Sequence, residues 1–465
     1  MKRNILFPVE STVRELDTKL LLAAMFIDHE KTIYIGQHNY LYKVSSYMNG
    51  GLYLGKNQFS KRQDGSWINY HAKLKKNGFT IIHLDEEGGV YWGKEEDWKK
   101  RLNDRIITKA LEKNDYIFTW GSFQKEHYQD VTSVSKKNII VTGHPRFDIY
   151  KNKYQYGSFY DEEVKDIKNL YGDYILIPTA FTMFNKIIKD RDPTYSDEYA
   201  KYIGCDASNP ESLKPHFDIW NYSGKTFVDY ISLIIHLSAE FPQINFIIRP
   251  HPDEDKSIYN RSFNSIKNIH VINNKSVTPW ILASKLIIGD SCTTGIEANL
   301  GNIPVINYQP HFDPRWDMFL PSLIGYKARN KNEVIKNINL ILHNPKNLED
   351  INPIYENIRA VSMLNNFLEE EDAFKNVLSN LNKIYSSNQP FNNNFNKILF
   401  NFFRVKNMAI TTLKDSVRPF FKEKERQEMF FRSIFNLDGI DKKIKTIEKI
   451  TNKKLNYRVI DKKLI

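Results

Sequence analysis

The stretch that decides the fold is residues 285–307, KLIIGDSCTTGIEANLGNIPVIN. An apolar run, Lys285 to Gly289, is followed by a polar loop and a helix-like segment, and Ile303 to Asn307 forms a second apolar run. A strand, a helix and a strand in this order predict a βαβ unit, in which the two strands lie parallel in one sheet.

The same alternation of apolar runs and amphipathic stretches occurs twice along the chain. The predicted strands are Asn4 to Val9, Thr32 to Gly36, Phe79 to Leu84, Tyr116 to Trp120 and Asn138 to Thr142, then Tyr174 to Pro178, Asn245 to Arg249 and His270 to Asn273. Predicted helices include Val13 to Phe26, Trp67 to Lys76 and Phe227 to Ala239. We therefore predict an α/β fold with two Rossmann-like, doubly wound domains facing a cleft: residues 1–160, residues 161–390, and then a helical tail, 391–465.

Composition separates the body of the chain from its tail. Of 465 residues, 41% are apolar, which is enough for sizeable cores, and the net charge is +11. Residues 391–465 contain 18 Lys and Arg against 8 Asp and Glu, so they carry +10 of that charge. A polyanionic partner is therefore expected for the tail alone.

The N-terminus and the cysteines favour a cytosolic protein. The apolar stretch after Met1-Lys2-Arg3 ends at Glu10, too early for a signal peptide, and no apolar run is long enough to cross a membrane. Cys205 and Cys292 match no metal or redox spacing.

Three carboxylates stand in a row in His83-Leu84-Asp85-Glu86-Glu87-Gly88-Gly89, directly after a predicted strand. Crowding should raise the pKa of at least one of them, which suits a general acid or base, and a carboxylate can also attack a sugar anomeric carbon. The alternative is a solvated turn that caps the next helix. Asp85, Glu86 and Glu87 are the catalytic candidates.

A second motif, Arg249-Pro250-His251-Pro252, also leaves a predicted strand. A histidine between two prolines has a fixed backbone and can donate to a phosphate oxygen, and the Arg249 guanidinium suits phosphate as well. A rigid turn with a structural histidine is the alternative. Arg249, His251 and Pro252 are predicted to bind a nucleotide.

The third motif, Gly289 to Ala298, joins a strand to a helix. Hydroxyls and N–H groups at a helix N-terminus form an anion site, so Ser291, Thr293 and Thr294 are predicted phosphate ligands. Glu297, one turn into the helix, is a candidate acceptor for ribose hydroxyls. The alternative is that Ser291 only caps the helix and Glu297 lies on the surface.

Other candidates are weaker. Gly143-His144-Pro145-Arg146-Phe147-Asp148 is expected to be structural, with Arg146 and Asp148 paired, although Arg146 and Glu10 remain possible cleft residues. Two DxD matches, Asp190 to Asp192 and Asp253 to Asp255, are too short to be specific. Because a helix terminus binds phosphate without a cation, no metal and no cofactor are predicted.

These motifs together resemble those of bacterial GT-B glycosyltransferases of capsule and lipopolysaccharide biosynthesis, above all CMP-Kdo transferases and, more distantly, bacterial sialyltransferases. The resemblance covers roughly residues 4–390. It implies that Asp85, Glu86 and Glu87 include the catalytic carboxylate and that His251, Ser291, Thr293 and Thr294 hold the CMP phosphate. The chain has Ser-Cys-Thr-Thr where the family has a Ser-Ser pair.

The predicted function is transfer of an acidic sugar such as Kdo from a CMP donor to a lipid-linked or oligosaccharide acceptor. A CDP-glycerol glycerophosphotransferase, which Gly143-x-Pro145-Arg146-x-Asp148 also resembles, is the first alternative. A nucleotide-sugar epimerase or hydrolase and a non-catalytic glycan-assembly scaffold are the others.

The tail contains two stretches with helical apolar spacing. One comprises Phe395, Ile398, Leu399 and Phe402, and the other comprises Ile440, Ile444 and Ile447 among lysines. Basic amphipathic helices suit an anionic membrane, so we expect the protein at the inner face of the cytoplasmic membrane. The alternative is packing against the domains or an oligomer contact. Nucleic acid is not expected, because no base-stacking module accompanies the charge.

Overall fold

The computed structural model describes residues 3–56, 59–61, 67–106, 111–187, 200, 205–206, 208–273, 276–343, 352–387, 396, 398–406 and 439–460. The chain forms two compact units. The first unit comprises Met1–Gly88, Lys99–Ile149 and Val361–Ile465, and the second comprises Gly89–Trp98 and Tyr150–Ala360. The chain thus returns to the first unit after the second is complete.

Fourteen strands are described. They are β1 (Arg3–Val9), β2 (Lys31–Gln37), β3 (Gly51–Gly55), β4 (Phe59–Lys61), β5 (Trp67–Asn69), β6 (Phe79–Leu84), β7 (Tyr116–Thr119), β8 (Ile139–Val141), β9 (Tyr174–Pro178), β10 (Asn245–Arg249), β11 (Ile269–Val271), β12 (Leu286–Gly289), β13 (Val305–Tyr308) and β14 (Tyr326–Ala328).

The described helices, in chain order, are α1 (Thr12–Phe26), α2 (His38–Val44), α3 (Tyr70–Lys76), α4 (Glu95–Ile106), α5 (Ser122–Val131), α6 (Pro145–Lys151), α7 (Asp161–Tyr171), α8 (Pro210–Glu240), α9 (Lys256–Phe263), α10 (Thr278–Ala283), α11 (Thr293–Leu300), α12 (Phe319–Ser322), α13 (Lys331–His343), α14 (Asn357–Met363), α15 (Ala373–Ser387), α16 (residues 398–406) and α17 (Ile440–Thr451).

Each unit is built on a six-stranded parallel sheet. The order is β2-β1-β3-β6-β7-β8 in the first unit and β11-β10-β9-β12-β13-β14 in the second, while β4 and β5 form a separate hairpin. The strand order reverses between β1 and β3 in one sheet and between β9 and β12 in the other. In open parallel sheets, ligands bind outside the carboxyl ends of the strands at such a reversal.

The sequence of the central strands explains their burial. Both faces of β1 and β10 are covered, so these strands are almost continuously apolar, as parallel sheets require. A large core on the second sheet combines Phe227, Tyr230 and Leu233 of α8 with Phe246 and Ile248 of β10. The predicted α/β class is confirmed, with two Rossmann-like parallel sheets and a helical C-terminal region.

Several predicted elements have different bounds. The segment predicted as a helix from Trp67 begins with β5, and α3 starts at Tyr70. The helix predicted from Phe227 begins at Pro210, where the Asn209 side chain accepts a hydrogen bond from a first-turn N–H. The central strand β3 was not predicted at all.

The last helix packs within the first unit. Ile440, Ile444 and Ile447 are buried, α17 lies against α1, and Lys443 pairs with Asp17. The apolar face of α17 is therefore covered by protein, as the alternative interpretation of the tail expects, and does not face lipid. Among the described residues, no helix is long and apolar enough to span a bilayer.

Candidate active-site residues at the strand ends

At the reversal point of the first sheet, a carboxylate and an ammonium group meet. Glu10 follows β1 and Lys56 follows β3, and Lys56 Nζ lies 2.7 Å from Glu10 Oε2. The Glu10 side chain is 45% exposed, whereas Lys56 is nearly buried. Glu10 is thus a carboxylate that a ligand can reach at the edge where ligands bind in this fold.

Glu86 lies at the centre of a buried charge network. Its Oε1 is 3.0 Å from Lys19 Nζ of α1, and its Oε2 is 3.1 Å from Nε2 of His144, which follows β8. Arg146 Nη1 donates to the Glu86 carbonyl oxygen at 3.1 Å. All four side chains are buried. Although burial opposes ionisation, Lys19, His144 and Arg146 together hold the pKa of Glu86 well below its usual range.

Asp85 shapes the turn of the motif. Its Oδ1 accepts a hydrogen bond from the Glu87 N–H at 3.0 Å, and Trp120 Nε1 donates to its carbonyl oxygen at 2.7 Å. Arg105 of α4 lies 3.4 Å from its Oδ2. Asp85 is buried, so its visible role is to hold the loop.

Glu87 is the carboxylate of the motif that solvent reaches, with a side chain 35% exposed. Arg14 Nη1 lies 2.6 Å from Oε1, and Arg105 Nη2 lies 3.1 Å from Oε2. Burial opposes ionisation, but Arg14, Lys56 and Arg105 hold the pKa of Glu87 well below its usual range. The rise in pKa expected from crowding is therefore wrong for Glu86 and Glu87, because nearby cations outweigh like-charge repulsion.

A carboxyl group with a raised pKa does occur nearby, at Glu15 of α1, which sequence reasoning missed. Burial and the charge of Glu86 raise the pKa of Glu15, while Lys56 and Arg14 oppose the shift. Its Oε2 accepts the Glu10 N–H at 2.8 Å. Glu15 is buried, so it supports the Glu10 backbone.

The motif that closes the first sheet, Gly143 to Asp148, is buried within the first unit, and the described hydrogen bonds of Arg146 and Asp148 are with other residues and not with each other. Arg146 is buried beside the Phe147 ring, at 4.9 Å from Cζ to the ring centroid. Asp148 accepts hydrogen bonds from Asn366 Nδ2 at 2.6 Å and from the Phe374 N–H at 3.1 Å. Asp148 thereby ties the end of the sheet to the returning chain.

In the second unit, the Arg249-Pro252 motif stands at the carboxyl end of β10. His251 is exposed, and its Nδ1 accepts the Asp253 N–H at 3.1 Å. In the neutral ring this leaves the proton on Nε2, which can donate to a ligand. Arg249 is buried under Trp280, with Cζ 5.1 Å from the ring centroid, and burial lowers its pKa to about 10, so it remains charged at neutral pH.

A buried carboxyl group fixes the His251 backbone. Glu254 Oε1 accepts from the His251 N–H at 3.0 Å and from Thr179 Oγ1, beyond the end of β9, at 2.9 Å. Tyr259 donates to the other oxygen. Pro252 restricts the backbone of the turn between His251 and Glu254. The loop is therefore held in place before any ligand binds.

Two of the three acids in the pattern Asp253 to Asp255 have contacts within the second unit. Glu254 is buried as described, and Asp255 caps α9 by accepting the Ser257 N–H at 2.8 Å. In the part of the chain that the structure describes, no cluster of three or more His, Cys, Asp or Glu side chains could hold a cation. Asp190 to Asp192 lies outside the described residues.

The predicted anion motif begins α11, next to the reversal point of the second sheet. Ser291 has a left-handed backbone, φ 42°, and its hydroxyl donates to Asp317 at 3.2 Å and contacts Ser322 at 3.0 Å. Thr293 is half-buried at the first helical position. Thr294 Oγ1 accepts from Cys292 Sγ at 3.3 Å. Of these hydroxyls, those of Ser291 and Thr294 have hydrogen-bond partners within the unit.

Glu297 is buried in the second unit and does not lie on the surface. Tyr150 donates to its Oε2 at 3.2 Å, and the Tyr150 hydroxyl also lies 3.0 Å from Thr278 Oγ1. The Glu297 carboxylate is thus held within the second unit by the Tyr150 hydroxyl.

Sequence reasoning missed a buried carboxyl pair at the end of β12. Burial and the neighbouring Asp317 raise the pKa of Asp290 well above its usual range. Asp317 accepts hydrogen bonds from Tyr222 at 2.9 Å and from Gln309 at 3.1 Å. The two aspartates are 27 positions apart, so no local pattern links them.

The topology brings the second-unit candidates to one edge. β10 and β12 both pair with β9, so His251 and the start of α11 leave strands about 10 Å apart. The first-unit carboxylates Glu10 and Glu87 likewise leave one edge of their own sheet.

Comparison with solved structures finds similar proteins of low identity. Two are UDP-GlcNAc 2-epimerases. The enzyme from Neisseria meningitidis has 13% identity and a TM-score of 0.46, and the match covers 82% of this chain and 100% of that enzyme. The enzyme from Methanocaldococcus jannaschii has 13% identity and a TM-score of 0.49, and the match again covers 82% of this chain and 100% of that enzyme. A third is the wall teichoic acid polymerase TagF, with 11% identity and TM-score 0.45, covering 83% of this chain and 88% of its own. No family model and no curated protein matches the sequence.

Proposed function

We propose that this protein is a nucleotide-sugar-dependent glycosyltransferase whose second unit binds the donor. The observation that carries the proposal is the carboxyl edge of the second sheet, where exposed His251 and the N-terminus of α11 flank β9. The Glu254 carboxyl group holds the His251 backbone, so Nε2–H is positioned to donate to a phosphate oxygen. The partial positive charge of the α11 N-terminus adds to that attraction.

Glycosyl transfer requires one group that accepts the proton of the acceptor hydroxyl and another that stabilises the negative charge of the departing phosphate. When the acceptor hydroxyl forms its bond to the anomeric carbon, the bond to phosphate breaks and its electron pair leaves with the nucleotide. His251 and the α11 N-terminus stabilise that departing phosphate. The hydroxyl proton passes to a carboxylate.

We assign the carboxylate role to residues that a substrate can reach. Glu10 is exposed and Glu87 is partly exposed, whereas Asp85 and Glu86 are buried and hold the loop. A carboxylate with a strongly lowered pKa is a weak base, so Glu87 is assigned to stabilising positive charge on the sugar and Glu10 to the acceptor proton.

The finer specificity proposed is an acidic sugar, such as Kdo, carried on CMP and moved to a lipid-linked or oligosaccharide acceptor at the inner face of the cytoplasmic membrane. The acidic sugar rests on the motif resemblance, because the guanidinium groups of Arg14 and Arg105 beside Glu87 each already pair with two carboxylates of the first unit. The cytidine base rests on the motif resemblance alone.

A donor screen tests the proposal. Full-length protein is incubated with CMP-, CDP-, UDP- and GDP-linked donors, with and without a glycan acceptor, and release of nucleotide is measured. Acceptor-dependent release of CMP from a sugar donor is the expected result. Acceptor-dependent release from CDP-glycerol would favour a glycerophosphotransferase, turnover without acceptor would favour an epimerase or hydrolase, and no turnover with no nucleotide binding would favour a scaffold.

Substitutions test the carboxylate assignments. Glu87→Gln and Glu10→Gln should each lower acceptor-dependent turnover by about 100-fold or more without loss of nucleotide binding. Asp161→Asn is the matched control, since Asp161 is an exposed acid in the first turn of α7. Full turnover in both glutamate variants would overturn the assignment.

A further inference from the structure

Helix α16 lies on the first unit through one face. Phe400 is buried in a core that includes Tyr40, and the Phe400 ring centroid is 6.3 Å from that of Tyr47. The Phe403 ring is 5.2 Å from Tyr47 and 5.7 Å from Tyr40. Two aromatic anchors therefore fix how the helix is rotated.

The opposite face of α16 is apolar and exposed. The exposed fractions are 82% for Ile398, 55% for Leu399, 76% for Phe402 and 61% for Val405. At 100° per residue these four side chains fall within an arc of about 120°, whose centre is about 160° from Phe400 and about 100° from Phe403. We call this set the α16 apolar face. Single exposed apolar residues are common, but a contiguous patch marks an interaction surface.

In the sequence, the charged residues in and next to α16 have one sign. Residues 391–414 contain Lys397, Arg404, Lys406 and Lys414 and no Asp or Glu. Lys406 is exposed on the same arc as Phe402. Cationic side chains beside apolar ones can place their charge at lipid headgroups while the apolar groups enter the acyl boundary.

We propose that the α16 apolar face docks on an anionic lipid surface. Its aromatic and aliphatic side chains supply the apolar contact, and Lys406 on the same arc supplies attraction to negatively charged headgroups. This deepens the membrane location in the proposed function and identifies the contact as α16, since the apolar face of α17 is buried against α1. It depends on none of the catalytic assignments. Phe395, expected on the same face, lies outside the described residues.

The test is co-sedimentation of the full-length protein with phosphatidylcholine vesicles, with and without phosphatidylglycerol. The wild-type protein should bind the anionic vesicles and release them as salt is raised. The double variant Leu399→Ser/Phe402→Ser should bind more than about tenfold more weakly, because two large apolar side chains no longer enter the lipid. Ile358→Ser is the matched control, since Ile358 is 90% exposed in the second unit, and should bind as the wild type does.

Three results would overturn the inference. The first is wild-type protein that does not bind anionic vesicles, and the second is equal binding by the double variant. The third is a wild-type dimer in sedimentation equilibrium that the double variant dissociates, since the face would then join two copies. CMP titration of the same samples distinguishes this inference from the proposed function. If lipid binding fails, CMP binding by the second unit should be unaffected, and if CMP binding fails, lipid binding by α16 should be unaffected.

Discussion

Glu86→Gln should destabilise the first unit strongly, although the substitution changes few atoms. The buried Glu86 carboxylate compensates buried Lys19 and the ring of His144, at 3.0 and 3.1 Å. In the variant, the neutral Gln amide at position 86 no longer compensates the charge of the buried Lys19 ammonium group. Breaking a buried pair in this way costs about 3–5 kcal/mol of the free energy of unfolding.

Urea unfolding at neutral pH, followed by circular dichroism, measures this cost. Glu87→Gln is the matched control in the same motif, since its partners Arg14 and Arg105 are partly exposed and such pairs contribute about 0–1 kcal/mol each. Glu86→Gln within about 1 kcal/mol of the wild type would refute the structural role of Glu86.

Three further predictions concern buried groups. Burial lowers the pKa of His83 from 6.5 to about 4, so stability present above pH 6.5 is lost as the pH falls toward 4. Between about pH 7 and pH 5 the free energy of unfolding should fall by about 2 kcal/mol on this account. Urea unfolding of His83→Gln at the two pH values should show a smaller loss. The raised pKa of Asp290 works in the opposite direction: its contribution is present below 3.8 and lost as the pH rises through the folded pKa. Asp290→Asn should therefore lose less stability with rising pH in thermal melts, and equal slopes would contradict this. A Cβ at Gly121 would overlap the Ser362 carbonyl oxygen, so Gly121→Ala should cost about 1–3 kcal/mol in urea unfolding, whereas Gly439→Ala, with open space around it, should cost little.

The sequence predicts the fold class because most central strands are continuous apolar runs. Phe246, Ile247 and Ile248 are an example. Strand β3 is not predicted by a continuous apolar run because it begins and ends with glycine. A Cβ at Gly51 would overlap the Asn4 carbonyl oxygen of β1, so close contact between strands requires a residue of low strand propensity.

Long-range features of the fold could not be predicted. The start of α8 could not be predicted because the first half of this helix is polar and lacks an apolar period. The helix begins with the Asn209 cap and Pro210. The return of the chain from Val361 to the first unit depends on contacts such as Asp148 with Asn366, which are 218 positions apart. Local periodicity contains no information about such pairs.

For the candidate site, the sequence predicts where the motifs stand but not which side chains solvent reaches. Asp85, Arg249 and Asp290 lie at strand ends as expected. That Glu86 is buried depends on Lys19 in α1, and that the Ser291 hydroxyl is occupied depends on Asp317. The functional roles of the site residues stay predictions.

The central claim is that His251 binds the phosphate of a nucleotide, and calorimetric titration of the full-length protein with CMP tests it most directly. Loss of one hydrogen bond to a charged phosphate is worth about 1.5–3 kcal/mol, so His251→Ala should bind CMP about 10- to 100-fold more weakly. His236→Ala removes an exposed histidine of α8 and should bind as the wild type does. Unchanged affinity in His251→Ala, or no CMP binding by the wild type, would contradict the account.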